Sequence, residues 1–199
     1  MLHYKPAYRS GSLEVICGPM FSGKSEELMR RLRRAKIARQ NVLTFKHKLD
    51  DRHSIEQLVS HDGNCLDAQP LADPLLIQEQ ALKPYVHVIG IEEVQFFPLS
   101  IVSSICTMVA AGKRVIVAGL NLDFRCVPFG PMPTLLSIAD SITKLSAICS
   151  VCGNDGHFTQ RLVDGKPAHF DDHIIMVGAQ EAYQARCRSC YKIDKMAAL

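Results

Sequence analysis

The stretch that decides the fold runs Leu13-Glu14-Val15-Ile16-Cys17-Gly18-Pro19-Met20-Phe21-Ser22-Gly23-Lys24-Ser25. Its apolar start, residues 13–17, predicts a short buried strand. Residues 18–25, called the phosphate loop below, match G-x-x-x-x-G-K-[ST] without a gap. From Ser25 to Arg39 apolar residues recur at helical spacing, so a helix is expected to follow. A strand, a glycine loop and a helix in this order are the context that this phosphate-binding motif requires.

The residue types of the phosphate loop suit the binding of a nucleoside triphosphate. Glycines let backbone N–H groups turn inward around phosphate oxygens, and the helix N-terminus adds partial positive charge. Lys24 can reach the β- and γ-phosphates, and the Ser25 hydroxyl can ligate Mg²⁺. We expect ATP contacts from Gly18, Pro19, Met20, Phe21, Ser22, Gly23, Lys24 and Ser25. The alternative, a chance glycine-rich turn, does not account for the strand before it and the helix after it.

Strand and helix patterns alternate along the rest of the first three quarters of the chain. Further strands are predicted at 42–45, 86–91 and 115–120, helices at 101–110 and 135–145, and loops at 49–70 and 126–133. The strands are apolar throughout rather than at every second residue, which indicates a parallel sheet covered on both faces. The predicted class is α/β, with a parallel sheet flanked by helices.

The texture changes near residue 146, where glycine, cysteine and polar residues begin to dominate, and Asp164-Gly165 suggests a hairpin turn. We therefore expect a lead-in at 1–11, a nucleotide-binding domain at 12–146 and a small second domain at 147–199.

Composition restricts the class of protein. The chain has 199 residues, 47% of them apolar and 22% charged, with a formal net charge of +3. This is enough apolar material for a core, and too little positive charge to imply bulk binding of nucleic acid or anionic membrane. No apolar run approaches the ~18–20 residues of a membrane span, and the first residues lack the apolar region of a signal peptide. We expect a cytoplasmic protein without a membrane partner.

Glu92-Glu93 directly follows the strand predicted at 86–91. Carboxylates at the carboxyl end of a strand in a nucleotide-binding sheet face the ligand crevice. One acid can hold Mg²⁺, directly or through water, and the other can accept a proton from an attacking hydroxyl or water. Adjacent residues of a strand point to opposite faces, which would divide these roles. The alternative is a solvated charged turn, but Phe96 and Phe97 nearby need burial or a ligand.

Four of the eight cysteines form two pairs, Cys149-x2-Cys152 and Cys187-x2-Cys190. In a reducing compartment such pairs indicate metal ligands before disulfides, and four thiolates satisfy tetrahedral Zn²⁺. A complete set of protein ligands leaves no open position for catalysis, so the zinc is expected to be structural. A thioredoxin-type redox pair and coincidence are the alternatives.

Together these residues resemble the thymidine kinases of the cellular type over about residues 13–191. The resemblance rests on the phosphate loop, Asp50-Asp51-Arg52, Glu92-Glu93-Val94-Gln95-Phe96-Phe97, Phe124 with Pro128-Phe129-Gly130, the cysteine pairs, Val177-Gly178 and Tyr183. It implies a RecA-like P-loop NTPase sheet and a zinc-ribbon-like C-terminal domain that carries a lasso loop over the nucleoside. It further implies transfer of the ATP γ-phosphoryl group to the 5′-hydroxyl of thymidine, use of ATP, Mg²⁺ and structural Zn²⁺, a homotetramer, and feedback inhibition by dTTP.

The resemblance also assigns roles to residues. Glu92 would help to hold Mg²⁺, Glu93 would be the general base, and Phe124 would stack on thymine. The remaining contacts would come, on the ATP side, from Arg52 and Gln95 and, on the nucleoside side, from Met20, Phe96, Leu120, Thr159, Ile174, Ile175, Met176, Val177, Gly178 and Tyr183.

Two positions depart from the family pattern. The family has Asp-Glu where this chain has Glu92-Glu93, and the longer side chain can change direct metal contact to contact through water. The lasso of the family has two glycines where this chain has Gly178-Ala179, which restricts the backbone. Two other functions are compatible with part of the sequence: a RecA-like ATPase with a zinc ribbon that binds nucleic acid, and a nucleotide sensor without turnover.

Overall fold

The computed structural model describes residues 10–48, 57–59, 65–174 and 182–193. The helices are α1 (Lys24–Ile37), α2 (Pro74–Ala81), α3 (Ile101–Ala110) and α4 (Met132–Ile138), with a 3₁₀ turn at Val94–Phe96. The strands are β1 (Ser12–Cys17), β2 (Val42–Lys46), β3 (Gln57–Val59), β4 (Cys65–Asp67), β5 (Gln69–Pro70), β6 (Val88–Glu92), β7 (Arg114–Gly119), β8 (Ser141–Lys144), β9 (Ala147–Ile148), β10 (Asp155–Gly156), β11 (Phe158–Val163), β12 (Lys166–Pro167) and β13 (Ala182–Arg186).

A six-stranded sheet in the order β5-β2-β6-β7-β1-β8 forms the centre of the molecule, and each of its strand pairings is parallel. This confirms the predicted α/β class. The carboxyl ends of parallel strands lie along one edge of a sheet. The phosphate loop after β1, the acidic residues at the end of β6 and Leu120 after β7 therefore meet at the same edge.

Helices cover both faces of this sheet. On one face α1 buries Leu28 and Leu32 in a cluster that includes Val88 and Ile116 of the central strands. On the other face α2, α3 and α4 contribute residues such as Ile77, Ile105 and Leu135 to a second and larger cluster. Burying one such side chain stabilises the fold by roughly 1.5–3 kcal/mol. The two clusters fix the sheet between its helices and hold the carboxyl edge of the strands in place.

The predicted helix over 135–145 is wrong in its second half. Helix α4 ends at Ile138, and Ser141–Lys144 instead forms β8, which pairs parallel with β1 from Glu14 to Cys17. Asp140 makes the change possible, because its carboxylate accepts a hydrogen bond from Leu13 N at 2.8 Å and its backbone N–H donates to Leu13 O. An open sheet edge thus overrode a helical apolar spacing.

The interval 49–70 is also not a plain loop in the part that is described. β3 and β4 pair antiparallel, and β5 adds to the edge of the main sheet next to β2.

Two helices also differ from the prediction. Helix α4 begins inside the loop predicted at 126–133. Helix α2 was not predicted, although Asp73 before Pro74 is a helix-start signal: the Asp73 carboxylate accepts from Leu75 N at 2.9 Å.

After residue 146 the chain forms smaller sheets, a β9–β10 pair and a three-stranded sheet in the order β12-β11-β13. The predicted hairpin is confirmed, since Asp164 and Gly165 have φ of 49° and 77° between β11 and β12. Strand β13 pairs antiparallel with β11 and carries the chain back to Cys187. A domain boundary at this point stays a prediction. Within the part of the chain that is described, no helix is long and apolar enough to cross a membrane.

Candidate active site

The phosphate loop joins β1 to α1 as the sequence predicted. At Gly18, where φ is 154°, an added Cβ would lie only 2.6 Å from the backbone oxygen of Leu145, so the position requires glycine. The Ser22 hydroxyl and the Lys24 ammonium both donate to Pro19 O, each at 2.8 Å. Lys24 is 8% exposed at the first position of α1. Two hydrogen bonds within the loop therefore fix its conformation and hold the Lys24 ammonium against Pro19 O. The loop lies at the N-terminus of α1, where an anion is favoured.

The loop meets the acidic pair directly. The Ser25 hydroxyl donates to Glu92 Oε1 at 2.6 Å, and Glu92 is almost completely buried at the end of β6. These are the two groups that the sequence suggested as Mg²⁺ ligands. Ser25 follows β1 and Glu92 ends β6, and β7 lies between these two strands in the sheet. A hydroxyl and a carboxylate oxygen side by side suit a hard cation that is also bound to phosphate. The donor set therefore fits Mg²⁺.

Glu93 differs from Glu92 in its backbone. Strand β6 ends at Glu92, and Glu93 lies in the left-handed region with φ 52° and ψ 43°, where it begins the 3₁₀ turn. The prediction that Glu92 and Glu93 alternate as neighbours of one strand is therefore wrong, because Glu93 lies outside the strand. A non-glycine residue in this region costs about 1–3 kcal/mol, a type of strain that collects at functional sites. Glu93 is 8% exposed, and the Gln95 side-chain amide donates to its Oε2.

The C-terminal part of the chain reaches the phosphate loop. The backbone N–H of Met20 donates to the Thr159 hydroxyl at 3.0 Å, which joins the loop to β11. Both residues were expected in the nucleoside pocket, and the structure brings them together. Of the other residues expected there, Leu120 donates its backbone N–H to Gln95 Oε1 at 3.0 Å. The Phe96 ring lies edge-on to Phe129, with ring centroids 5.6 Å apart.

Phe124, the residue expected to stack on thymine, is held from two sides. The Arg161 guanidinium lies 5.0 Å from the centroid of its ring, and the Tyr191 hydroxyl donates to its backbone oxygen at 2.5 Å. Arg161 is 1% exposed and also donates to His173 O at 2.5 Å. Tyr183 is paired with Arg161 in the register of β13 and β11. Phe124 is therefore held by Arg161 of β11 and by Tyr191, the residue that follows the second cysteine pair.

Some residues expected in the site lie outside the described residues: Arg52, Ile175, Met176, Val177 and Gly178. Of the expected lasso only Ile174 is described, and it is 37% exposed. Sequence reasoning assigned no role to Arg161 or Tyr191. The position of Tyr191 directly after Cys190 was the available signal, because a residue next to a metal ligand is held in a fixed place.

The four paired cysteines come together as predicted. The sulfur atoms of Cys149, Cys152, Cys187 and Cys190 all lie within 4.8 Å of one another. Tetrahedral zinc with Zn–S bonds of ~2.3 Å places its sulfurs about 3.8 Å apart, and Cys152 Sγ lies 3.6 Å from Cys187 Sγ.

The ionisation of these thiols is uneven. Burial alone would raise the pKa of the Cys149 thiol, but backbone N–H groups of both pairs lower it to about 6. The neighbouring sulfurs, Cys187 first, raise the pKa of Cys190 to about 12. Adjacent thiolates repel one another, and a bound cation removes that repulsion. The quartet has the composition and spacing of a structural Zn²⁺ site.

A family model described as Thymidine kinase matches residues 11–191, nearly the whole chain. The match includes the phosphate loop, the acidic pair, Phe124 and both cysteine pairs.

Proposed function

Because this chain belongs to the thymidine kinase family and phosphorylates thymidine with ATP, we propose that Glu93 is the general base of the reaction. The γ-phosphoryl group of ATP passes to the 5′-oxygen of thymidine, the bond to the β-phosphate oxygen breaks, and dTMP and ADP result. Glu93 would accept the proton that the 5′-hydroxyl loses. The 2.6 Å hydrogen bond between Ser25 and Glu92 carries this proposal, because it joins the phosphate loop and the acidic pair in one cleft.

On the ATP side, the backbone N–H groups of the phosphate loop and Lys24 would neutralise charge on the β- and γ-phosphates. Lys24 would exchange its bond to Pro19 O for phosphate oxygens. Ser25 and Glu92 would hold Mg²⁺, which supplies further charge neutralisation when it is bound with ATP. Glu92 is longer than the Asp of the family, but its carboxylate already touches the Ser25 hydroxyl. Arg52 stays a proposed ATP contact.

On the nucleoside side, we assign thymine stacking to the ring of Phe124, which is 4% exposed and fixed by Arg161 and Tyr191. The nearest support for the rest of the pocket is the Met20–Thr159 hydrogen bond, which brings β11 against the phosphate loop. The remaining contacts proposed here are Leu120, Phe96, Tyr183 and the lasso residues Ile174, Ile175, Met176, Val177 and Gly178. The lasso would exclude water, which otherwise competes with thymidine as acceptor.

The cysteine quartet would hold a structural zinc that fixes β13 and the adjoining Tyr191 against the rest of the site.

We further propose cytoplasmic location, a homotetramer and feedback inhibition by dTTP bound in the place of the nucleoside. Gel filtration with light scattering tests the tetramer, and inhibition by dTTP that is competitive with thymidine tests the feedback. The alternative function, an ATPase that binds nucleic acid, is not favoured, because the family match covers both parts of the chain.

The variant Glu93→Gln tests the proposed base while it keeps the size of the side chain. We expect kcat with thymidine to fall by about 10²–10⁴-fold, because general-base catalysis contributes that much. Binding of ATP should persist, and Glu79→Gln on the exposed face of α2 should change neither quantity. ADP release is measured with thymidine and, separately, with single-stranded DNA. Full activity of Glu93→Gln would refute the role of Glu93, and release stimulated by DNA alone would refute the kinase reaction.

A further inference from the structure

Gln95 forms a bridge between the proposed base and the end of β7. Its amide nitrogen donates to Glu93 Oε2, and its amide oxygen accepts the backbone N–H of Leu120 at 3.0 Å. The side chain is 2% exposed. The orientation of the amide follows from its partners, since an ionised carboxylate only accepts and a backbone N–H only donates. In a reversed amide, the amide oxygen would face the Glu93 carboxylate and the amide nitrogen would face the Leu120 N–H, so neither hydrogen bond could form.

The surroundings of Gln95 are shaped to admit this side chain. A Cβ added at Gly119, the last residue of β7, would lie 2.5 Å from Gln95 Oε1. A Cβ added at Gly130 would lie 2.3 Å from the backbone oxygen of Gln95, and Gly130 also has a positive φ of 49°. Both neighbours therefore lack a side chain where Gln95 needs the space. Two separate segments thus form a slot that fixes the position of this residue.

The bridge has a direct consequence for Glu93. The hydrogen bond from the Gln95 amide holds Oε2 of the Glu93 carboxylate in one position. The same bond removes rotational freedom from a side chain that begins a strained turn. We propose that Gln95 is a positioning residue that acts on the reaction through Glu93. This inference rests on the proposed role of Glu93, and it differs from the ATP contact that the sequence suggested for Gln95.

Two variants distinguish a residue that positions Glu93 from a residue that contacts ATP. Gln95→Glu keeps the size and the acceptor for Leu120, but it sets a carboxylate against Glu93. Gln95→Met removes both the donor to Glu93 and the acceptor for Leu120 N–H without adding charge. Both should lower kcat by about 10-fold or more while the KM for ATP stays within about 2-fold, because only an interaction beyond substrate binding is lost.

Gln69→Glu, the same change at an exposed site on β5, is the matched control and should leave kcat and the KM for ATP unchanged. Thermal unfolding of each variant checks that it folds, and Gln95→Met supplies the test if Gln95→Glu does not fold. In the double variant Gln95→Met/Glu93→Gln the two losses should not add, because both pass through one group. If Glu93→Gln alone keeps full kcat, the proposed base is wrong, whatever the Gln95 variants show.

Other outcomes would overturn the role of Gln95. A raised KM for ATP with unchanged kcat would make Gln95 an ATP contact. Additive losses in the double variant would show that Gln95 does not act through Glu93.

Discussion

Replacing Tyr191 by Phe removes one oxygen atom and tests whether the second cysteine pair positions the nucleoside site. The Tyr191 hydroxyl donates to the backbone oxygen of Phe124 at 2.5 Å, across a separation of 67 residues. The Tyr191 ring also packs against Phe158 with centroids 5.3 Å apart, and Phe would keep that contact. The substitution therefore deletes this hydrogen bond, together with the contact between the hydroxyl and the Cys126 thiol, and keeps the packing of the ring.

The magnitude follows from the geometry. A typical hydrogen bond contributes about 1 kcal/mol net, and a carbonyl left without its partner in a partly buried place raises the loss to about 1–2 kcal/mol. We assume that Phe124 can stack on the base only while this bond holds the segment around Phe124 in place. Loss of the bond then lowers the fraction of molecules that can bind thymidine, and the apparent KM for thymidine rises by the same factor. A loss of 1–2 kcal/mol corresponds to a rise of about 5–30-fold, and we expect the lower end because Arg161 still contacts the ring.

Initial rates with varied thymidine at saturating ATP measure this effect, with ADP release as the readout. The KM for ATP should stay unchanged, because Tyr191 makes no contact with the phosphate loop among those described. Tyr85→Phe, at a ring that is 57% exposed, is the matched control and should behave as the unmodified protein. A lower melting temperature with an unchanged KM for thymidine would refute the reasoning, since Tyr191 would then stabilise the fold without positioning Phe124.

Three further predictions concern zinc, acid and the phosphate loop. Cys187→Ser should release zinc to a colorimetric chelator, lower the melting temperature and raise the KM for thymidine, because the end of β13 is then no longer bound to the metal. An unchanged zinc content would contradict the assignment of the four cysteines as the zinc ligands. Although burial opposes it, Arg114 and Arg31 lower the pKa of Glu14 below its ordinary value of 4.5, so its stabilisation is complete above that pH and is lost as the pH falls through the lowered value. Melting temperatures of Glu14→Gln should therefore fall less steeply below about pH 4.5 than those of the unmodified protein, and parallel curves would contradict this. Gly18→Ala should raise the dissociation constant for ATP by about 10-fold or more, because the Cβ would meet Leu145 O at 2.6 Å and displace the loop; isothermal titration with an ATP analogue checks this, and an unchanged dissociation constant would contradict it.

The parts of the site that the sequence predicted best are those with a local cause. The phosphate loop is continuous in the chain, and its glycines and its position between β1 and α1 follow from backbone geometry. The cysteine pairs are recognisable because each pair must present two sulfurs to one metal from a short turn. Strands β1, β2, β6 and β7 of the main sheet were identifiable because strands buried on both faces are apolar throughout.

The errors have a common origin in contacts that the sequence does not record. Residues 141–144 were expected in a helix because Ile142 and Leu145 continue an apolar spacing, yet the open edge of β1 and the Asp140–Leu13 bonds made them a strand. Glu92 and Glu93 were expected to be neighbours within one strand, but the strand ends at Glu92 and Glu93 lies in a left-handed turn. In both cases tertiary packing overrode a local pattern.

The sequence by itself determined the chemistry that is available: a phosphate loop, two adjacent acids and a quartet of thiols, because each is written in contiguous or closely spaced residues. The tertiary structure alone decided how these groups cooperate. It set Gln95 between Glu93 and Leu120, and it brought Tyr191 to Phe124. Such contacts join residues whose separation along the chain carries no periodic signal, so only the packing of sheet, turn and C-terminal strands brings them together.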